Sequence, residues 1–211
     1  MNPWHDIDPS RINEENFVAV VEIPKGSKKK YELDKATGLI KLDRILFTST
    51  HYPQNYGFIP RTFADDNDPL DVLILCSETL DPLTMVECYP IGMVKMVDND
   101  EVDEKIIAVP FHDPVYSGYR DVSTLPRHIL TEISHFFEVY KALEHSETSV
   151  KMVVDRNEAL AVIRKSKKRY VDMFAEADTG GGKSPGKRPA PKTPKKTRPV
   201  KSNTQRDGAI A

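Results

Sequence analysis

Two acid-rich segments in the middle of the chain carry the residues best suited to chemistry. Residues 65–71 and 98–105 adjoin apolar, strand-like runs, and the stretch from Asp65 to Glu104 holds 12 acidic residues against one basic residue, Lys95. Carboxylates this close repel one another, and burial strengthens the repulsion. Cations between the segments would relieve it. Oxygen ligands without His or Cys indicate Mg²⁺, Mn²⁺ or Ca²⁺ rather than zinc.

A second interpretation of these segments is a pair of surface turns, because Asp favours turns. The repetition of acid clusters beside apolar strands favours the metal site. An EF-hand is excluded, since Leu70 and Asp71 occupy its fifth and sixth positions and the sixth requires Gly. A P-loop is excluded because Ala177 stands where its first Gly belongs and Pro185 follows the Lys-Ser pair. The sequence contains no paired-His zinc helix and no strong Ser or Cys nucleophile motif.

Basic and hydroxyl-bearing aromatic side chains elsewhere in the chain could complement such a metal site. Lys and Arg neutralise charge on a ligand's oxygens, and Tyr hydroxyls donate hydrogen bonds without adding charge. Together with several divalent cations, these groups are what a dense polyphosphate ligand requires. The candidates are Lys30, Arg44, Tyr52, Asn55, Tyr56, Tyr140 and Lys141.

The elements that must position these residues change character halfway along the chain. Alternating or β-branched runs predict strands at residues 17–23, 30–33, 39–42, 44–47, 72–76, 86–97 and 105–109. After Pro126, apolar side chains at spacings of three and one up to Leu143 predict a helix. A strand at 150–154 and a second helix, capped by Asn157 and carrying a solvated basic run at 164–169, follow. This order predicts an α+β fold with a closed or nearly closed barrel.

Charge divides the chain into an acidic body and a basic tail. Residues 1–178 hold 21 basic and 31 acidic residues, a net charge of −10, whereas residues 179–211 hold nine basic residues and one acid, a net charge of +8. The body is long enough for one domain with a hydrophobic core. The tail is rich in Lys, Pro, Thr and Ser, which predicts a disordered extension that serves solubility or contacts nucleic acid or another polyanion.

The sequence also limits where the protein acts. No apolar run reaches the roughly 20 residues that a membrane span needs, and the N-terminus lacks the features of a secretory signal. Cys76 and Cys88 both lie in strand-like runs, so we expect two buried thiols and no disulfide framework. A reducing, cytoplasmic location fits these features best.

Residues 66–72, Asp-Asn-Asp-Pro-Leu-Asp-Val, resemble the D-x-D-P-x-D-V signature of the family I soluble inorganic pyrophosphatases. Other segments resemble that family in the same order, so that the resemblance spans about residues 17 to 174. The resemblance implies a five-stranded OB-like β-barrel with flanking helices. It also implies Mg²⁺-dependent hydrolysis of inorganic diphosphate to two phosphates, with several ions per subunit. The short length is similar to the bacterial type, which implies a homohexamer.

The resemblance further implies roles for individual residues. Asp68 would be the general base that acts on a metal-bound water. The metal ligands would be Asp66, Asp71, Asp98 and Asp103, with Asp71 bridging two ions. The phosphate-binding groups would be Lys30, Arg44, Tyr56, Tyr140 and Lys141, with Glu22, Glu32, Tyr52 and Lys105 at supporting positions. Asp100 stands where many members have Gly, which leaves the metal stoichiometry of the second acid segment open.

Two other functions compete with diphosphate hydrolysis. Another polyphosphate or nucleotide phosphohydrolase could use the same metals, although the sequence contains no evident base-stacking insertion. A non-enzymatic OB-type module that binds nucleic acid would need basic and aromatic strand surfaces, whereas the strand ends here are acidic.

Overall fold

The structure is a computed structural model that describes residues 1–98, 101–144 and 148–178, with side chains as far as Phe174. Its first compact unit runs from Met1 to Glu176. The predicted basic tail, residues 179–211, and Asp100 lie outside the described residues. Within them the strands and helices are β1 (Phe17–Ile23), β2 (Lys29–Leu33), β3 (Ile40–Ile45), β4 (Asn55–Ile59), β5 (Leu70–Ile74), β6 (Met85–Asp98), β7 (Glu101–Pro110), α1 (Arg127–Val139), β8 (Thr148–Val154) and α2 (Arg156–Asp178).

Five strands close into a barrel in the order β1-β4-β5-β7-β6. Closure depends on β6, whose 14 residues pair with three other strands of the same sheet. Its first residues pair with β1, from Phe17 opposite Cys88 to Val20 opposite Met85, and the rest pairs with β7 and β8. The β2–β3 hairpin forms a separate two-stranded sheet. The predicted α+β fold with a five-stranded OB-like barrel is confirmed.

Neighbouring residues of a barrel strand pack into different hydrophobic clusters, as the two-residue period of a strand requires. Val72 and Ile74 of β5 join the cluster that contains Ile163 of α2, whereas Leu73 joins the cluster that contains Phe137 of α1. The two helices therefore cover the barrel through separate sets of side chains. Because β5 is packed on both sides, the acidic residue that it carries is held by a rigid support.

Several predicted boundaries were wrong. One strand, β3, replaces the two strands predicted at 39–42 and 44–47 and ends at Ile45. Strand β7 begins at Glu101, so that much of the second acid segment lies on strands. The strand β4 went unpredicted because it contains Gly57. A Cβ at Gly57 would lie 1.9 Å from the Val20 carbonyl oxygen, so only glycine permits this close approach to β1.

Both helices also differ from the prediction at their ends. Helix α1 stops at Val139 rather than near Leu143, and Thr148 of β8 donates a hydrogen bond to the Phe137 carbonyl at 2.7 Å. Helix α2 begins at Arg156 rather than after Asn157. The side chain of Asp155 accepts a hydrogen bond from the Glu158 amide at 3.0 Å, which is the capping contact. Within the described residues, neither helix combines the length with the apolar character that a membrane crossing requires.

Candidate active site

The centre of the candidate site is a buried ammonium group surrounded by three oxygen-bearing side chains. Lys105 of β7, only 3% exposed, stands opposite Asp71 of β5 in the parallel pairing of the two strands. Its Nζ donates to Asp71 Oδ2 at 2.8 Å, to Asp103 Oδ1 at 2.9 Å and to the Tyr56 hydroxyl at 2.9 Å. The Tyr56 hydroxyl in turn donates to Asp71. Three barrel strands, β4, β5 and β7, therefore position this centre.

The surroundings of this centre fix the protonation states of Lys105 and Tyr56. Burial alone would lower the pKa of Lys105, but the negative charges of Asp103 and Asp71 outweigh burial and raise that pKa well above its ordinary value. The pKa of Tyr56 is also raised, chiefly by burial and then by the charge of Asp71. Lys105 is therefore a fixed cation and Tyr56 a neutral hydrogen-bond donor at neutral pH.

Asp66 joins Asp71 and Asp103 along a small cavity that we call the acid pocket. Asp66 lies in the loop between β4 and β5, where Asn67 adopts a left-handed backbone with φ of 69°. Asp66 keeps part of its surface open to solvent. Even so, the surrounding protein, together with the charges of Asp71 and Asp103, raises the pKa of Asp66 to about 7. With Asp65 and Glu104, which also line it, the acid pocket thus brings five acidic side chains together.

Asp68, the predicted general base, belongs to the same loop but has different surroundings. Its amide donates to Asp66 Oδ1 at 3.0 Å, which fixes the turn between them. Its carboxylate forms an ion pair with Lys35, and the Asp68 side chain is 47% exposed. The structure therefore brings Asp66, Asp71 and Asp103 together and leaves Asp68 beside Lys35 with access to water.

The remaining predicted metal ligand, Asp98, ends β6 and pairs with Lys141. Lys141 follows Tyr140, the residue that caps α1, and its Nζ lies 5.3 Å from the centre of the Tyr140 ring. Two residues predicted to bind phosphate are thus brought to the second acid segment by the end of α1.

Lys30 and Arg44 stand opposite each other on the β2–β3 hairpin. Lys30 pairs with Glu32 and, at 3.3 Å, with Asp43. Arg44 pairs with Asp43 at 2.5 Å and, through Nε, with Glu144 at 2.8 Å. The hairpin therefore places two basic side chains next to each other, each paired with a carboxylate. Neighbouring cations of this kind suit the binding of phosphate oxygens.

Buried polar side chains join the hairpin, the second acid segment and the acid pocket into one site. Burial raises the pKa of Tyr140, and its hydroxyl also lies within electrostatic reach of Lys105, Asp98, Asp103 and Arg44. Tyr52 is 2% exposed, and its ring lies 5.4 Å from that of Tyr56.

Glu22 connects the hairpin to the acid pocket from the side of β1. It accepts a hydrogen bond from the Leu33 amide at 2.7 Å, which ties β1 to β2. Burial and the charge of Asp71 raise the pKa of Glu22 to about 8. Glu22 therefore contacts β2 directly and interacts electrostatically with Asp71.

The chemistry of the donors fits a hard divalent cation. Among the described residues, no three His, Cys, Asp or Glu side chains already lie close enough to ligate one ion. Nevertheless, oxygens of Asp71 and Asp103 converge on one ammonium group, and Asp66 shares their cavity. A set of carboxylates without His or Cys suits Mg²⁺, Mn²⁺ or Ca²⁺.

The structure adds partners that no sequence pattern had assigned. Lys35 pairs with Asp68, Asp43 lies between Lys30 and Arg44, and Glu144 pairs with Arg44. Except for Asp43, which directly precedes Arg44, these partners come from separate segments, and spacing along the chain carries no signal for such contacts. The basic run at 164–169, predicted as a solvated face, is exposed at three of its six residues and buried at Ser166. Several of its basic side chains also form ion pairs. Its ion pairs are Lys165 and Arg169 with Asp65, and Arg164 and Lys167 with Glu14.

Comparison with known proteins agrees with this geometry. A family model described as inorganic pyrophosphatase matches residues 19–171. Soluble inorganic pyrophosphatase 2 of Chlamydomonas reinhardtii is 48% identical over 174 residues, which cover 82% of this chain and 90% of that protein. Soluble inorganic pyrophosphatase 1 of Arabidopsis thaliana is 47% identical over 175 residues, which cover 83% and 81% respectively. The crystal structure of inorganic pyrophosphatase from Thermus thermophilus is similar with a TM-score of 0.72 and 40% identity, covering 80% of this chain and 95% of that one.

Proposed function

This chain belongs to the inorganic pyrophosphatase family, and we propose that it hydrolyses inorganic diphosphate to two phosphate ions in a reaction that requires Mg²⁺. The observation that carries the proposal is the acid pocket beside Lys105 and Tyr56. A diphosphate ion needs cations on all sides of its oxygens, and a carboxylate cluster faced by fixed Lys, Arg and Tyr side chains can supply them.

The proposed ligands of several Mg²⁺ ions per subunit are Asp66, Asp71, Asp98 and Asp103. When bound there, Mg²⁺ would lower the pKa of water toward neutrality and neutralise charge on the phosphate oxygens. The side chain of Lys105 would hold the Asp71 carboxylate in a single orientation during this step. Between turnovers, Lys105 would also neutralise part of the negative charge of Asp71 and Asp103.

Asp68 is the proposed general base. Water attacks one phosphorus in line with the bridging oxygen, the bond from that phosphorus to the bridging oxygen breaks, and the second phosphate departs with both electrons. Asp68 accepts the proton that the water loses. A partly exposed carboxylate beside the acid pocket suits this role, because it can reach solvent-derived water and then release the proton.

The departing phosphate gains negative charge in the transition state, and five side chains are proposed to hold it. Lys30 and Arg44 would act from the hairpin, and Lys141 from the end of α1. Tyr56 and Tyr140, both neutral at physiological pH, would donate hydrogen bonds. The supporting residues Glu22, Glu32, Tyr52 and Lys105 would keep these groups in place.

The test is phosphate release by the purified full-length chain. We expect release from diphosphate with Mg²⁺ and none above background when a chelator removes the metal. Inorganic triphosphate and ATP, supplied under the same conditions, test the competing function of a broader phosphohydrolase. Faster hydrolysis of ATP than of diphosphate, or full activity with the chelator present, would contradict the proposal.

We also propose the assembly, location and domain boundary that the resemblance and composition support. The chain would form a homohexamer in the cytoplasm, where the buried thiols of Cys76 and Cys88 would remain reduced. Residues 1–178 would be the catalytic domain, and the basic tail, residues 179–211, would be separate from it. Light scattering after size-exclusion chromatography should give six times the mass of the chain, and a smaller assembly would reject the hexamer.

A further inference from the structure

Three acidic residues of the loop between β4 and β5 have different neighbours. Asp65 pairs with Lys165 at 2.8 Å and with Arg169, both on α2. Asp66 shares the acid pocket. Asp68 pairs with Lys35, which lies 33 residues earlier in the chain. Asp65 lines the acid pocket as well. Cations from two sides of the loop thus contact Asp65 and Asp68, the acidic residues on either side of Asp66.

Lys35 reaches Asp68 from a turn that is itself well fixed. The turn joins β2 to β3, and the Asp34 carboxylate accepts hydrogen bonds from the amides of Ala36 at 3.1 Å and Thr37 at 2.8 Å. Lys35 Nζ also donates to the Asn67 carbonyl at 3.4 Å. Its contacts therefore include both the side chain of Asp68 and the backbone of the preceding residue.

Residues near the start of the chain also contact Lys35. The Asn2 side chain donates to the Lys35 carbonyl at 2.9 Å, and Lys35 Nζ lies 5.8 Å from the centre of the Trp4 ring. Trp4 is only 4% exposed, and its indole N–H donates to the Thr62 carbonyl at 2.9 Å. The Arg61 amide donates to the Trp4 carbonyl at 3.0 Å. The same N-terminal residues therefore contact Lys35 and the start of the Asp68 loop.

We infer that Lys35 is a positioning residue that holds the Asp68 carboxylate in place for proton transfer, and that Asn2 and Trp4 fix Lys35 for this task. The inference rests on the proposed function, since it concerns the base of that reaction. A carboxylate on a half-exposed loop can adopt several rotamers, and an ion pair selects one of them. Asn2 and Trp4 lie outside residues 19–171, which match the family model.

The test compares Lys35→Met, which keeps the length of the side chain but removes its charge, with Lys35→Arg, which keeps the charge. For Lys35→Met we expect kcat to fall about 10-fold and KM to change less than about twofold, because positioning of the base acts in the transition state. Lys35→Arg should retain at least about half of the kcat. The matched control is Lys95→Met, which removes an ammonium group paired with Glu158 at 2.5 Å and should leave kcat unchanged.

A double-mutant cycle separates positioning from general damage. In an Asp68→Glu background, where the carboxylate is already displaced, Lys35→Met should reduce kcat by less than about twofold. An equal loss in both backgrounds, or no loss in the wild-type background, would overturn the inference. Thermal unfolding of each variant identifies any failure to fold, in which case Lys35→Gln replaces Lys35→Met. Absence of diphosphate hydrolysis in the wild-type chain would instead reject the proposed function, so the two failures are distinguishable.

Discussion

Asp113 and Asp66 show how differently one residue type is treated in two regions of this molecule. Asp113, 5% exposed, accepts hydrogen bonds from the Ser77 amide and hydroxyl at 2.7 and 2.9 Å, and from the amides of Val115 and Tyr116 at 2.8 and 2.9 Å. Burial opposes its ionisation, but these donors outweigh burial and lower the pKa of Asp113 to about 2. Asp66 has Asp71 and Asp103 as neighbours instead, and burial together with their charges raises the pKa of Asp66 to about 7.

The contrast separates a structural carboxylate from one that needs a cation. The negative charge of Asp113 is satisfied by donors of the protein itself, so that this aspartate fixes the connection after β7 without any ligand. The acid pocket holds more negative charge than its protein neighbours compensate, which is the property expected of a divalent-cation site. Substitutions at the two regions should therefore alter different measured quantities.

The largest effect is expected at Asp68, next to the acid pocket. Asp68→Asn removes the proposed base and should lower kcat at least about 100-fold, since general bases typically contribute that much. Its exposed ion pair with Lys35 contributes less than about 1 kcal/mol, so thermal stability should hardly change. Asp113→Asn is the matched control and should keep kcat within about threefold. Wild-type turnover by Asp68→Asn would show that another group accepts the proton.

Mg²⁺ should stabilise the chain through the acid pocket and not through the Asp113 loop. A ligand at about 100 times its Kd stabilises the folded state by about 2.7 kcal/mol, which raises the unfolding temperature. We expect Asp71→Asn to lose at least about half of this Mg²⁺-dependent rise and Asp113→Asn to retain it. Differential scanning calorimetry with and without Mg²⁺ measures both. Equal rises in the two variants would place the bound ions elsewhere.

Acid should weaken the Asp113 loop within a defined pH range. The pKa of Asp113 is about 2 in the folded chain against an ordinary value of 3.8. Its ionised form therefore stabilises the fold above about pH 4, and this stabilisation is lost as the pH falls toward 2. Asp113→Asn should lower the free energy of unfolding by about 1–2 kcal/mol at pH 7 and by much less at pH 2.5. Denaturant titrations at the two pH values test this, and a pH-independent difference would contradict it.

Sequence reasoning predicted most of the barrel because its strands alternate or are β-branched, as in β1 and β6. It identified the candidate ligands Asp66 and Asp71 through the signature at 66–72, and Asp98 and Asp103 through the resemblance of the second acid segment. It missed β4, where Gly57 interrupts the apolar pattern, and it missed Lys35 and Glu144 as partners. The sequence also contains no pattern that explains why the pKa of Asp113 is lowered while that of Asp66 is raised. Hydrogen-bond donors and neighbouring charges decide that difference, and the fold brings them from distant parts of the chain.

The smallest effect is expected from deleting residues 179–211. Every proposed site residue lies at or before Lys141, and the family model ends at residue 171. The deleted segment nevertheless carries nine basic residues and one acid, so it could compete with Mg²⁺ for the acid pocket. Hydrolysis should therefore be measured at saturating and at limiting Mg²⁺, for the full chain and the truncated chain. We expect kcat and the Mg²⁺ concentration for half-maximal rate to agree within about twofold. A lower Mg²⁺ requirement after truncation would mean that the tail's positive charge does reach the acid pocket, and that the two regions are not independent.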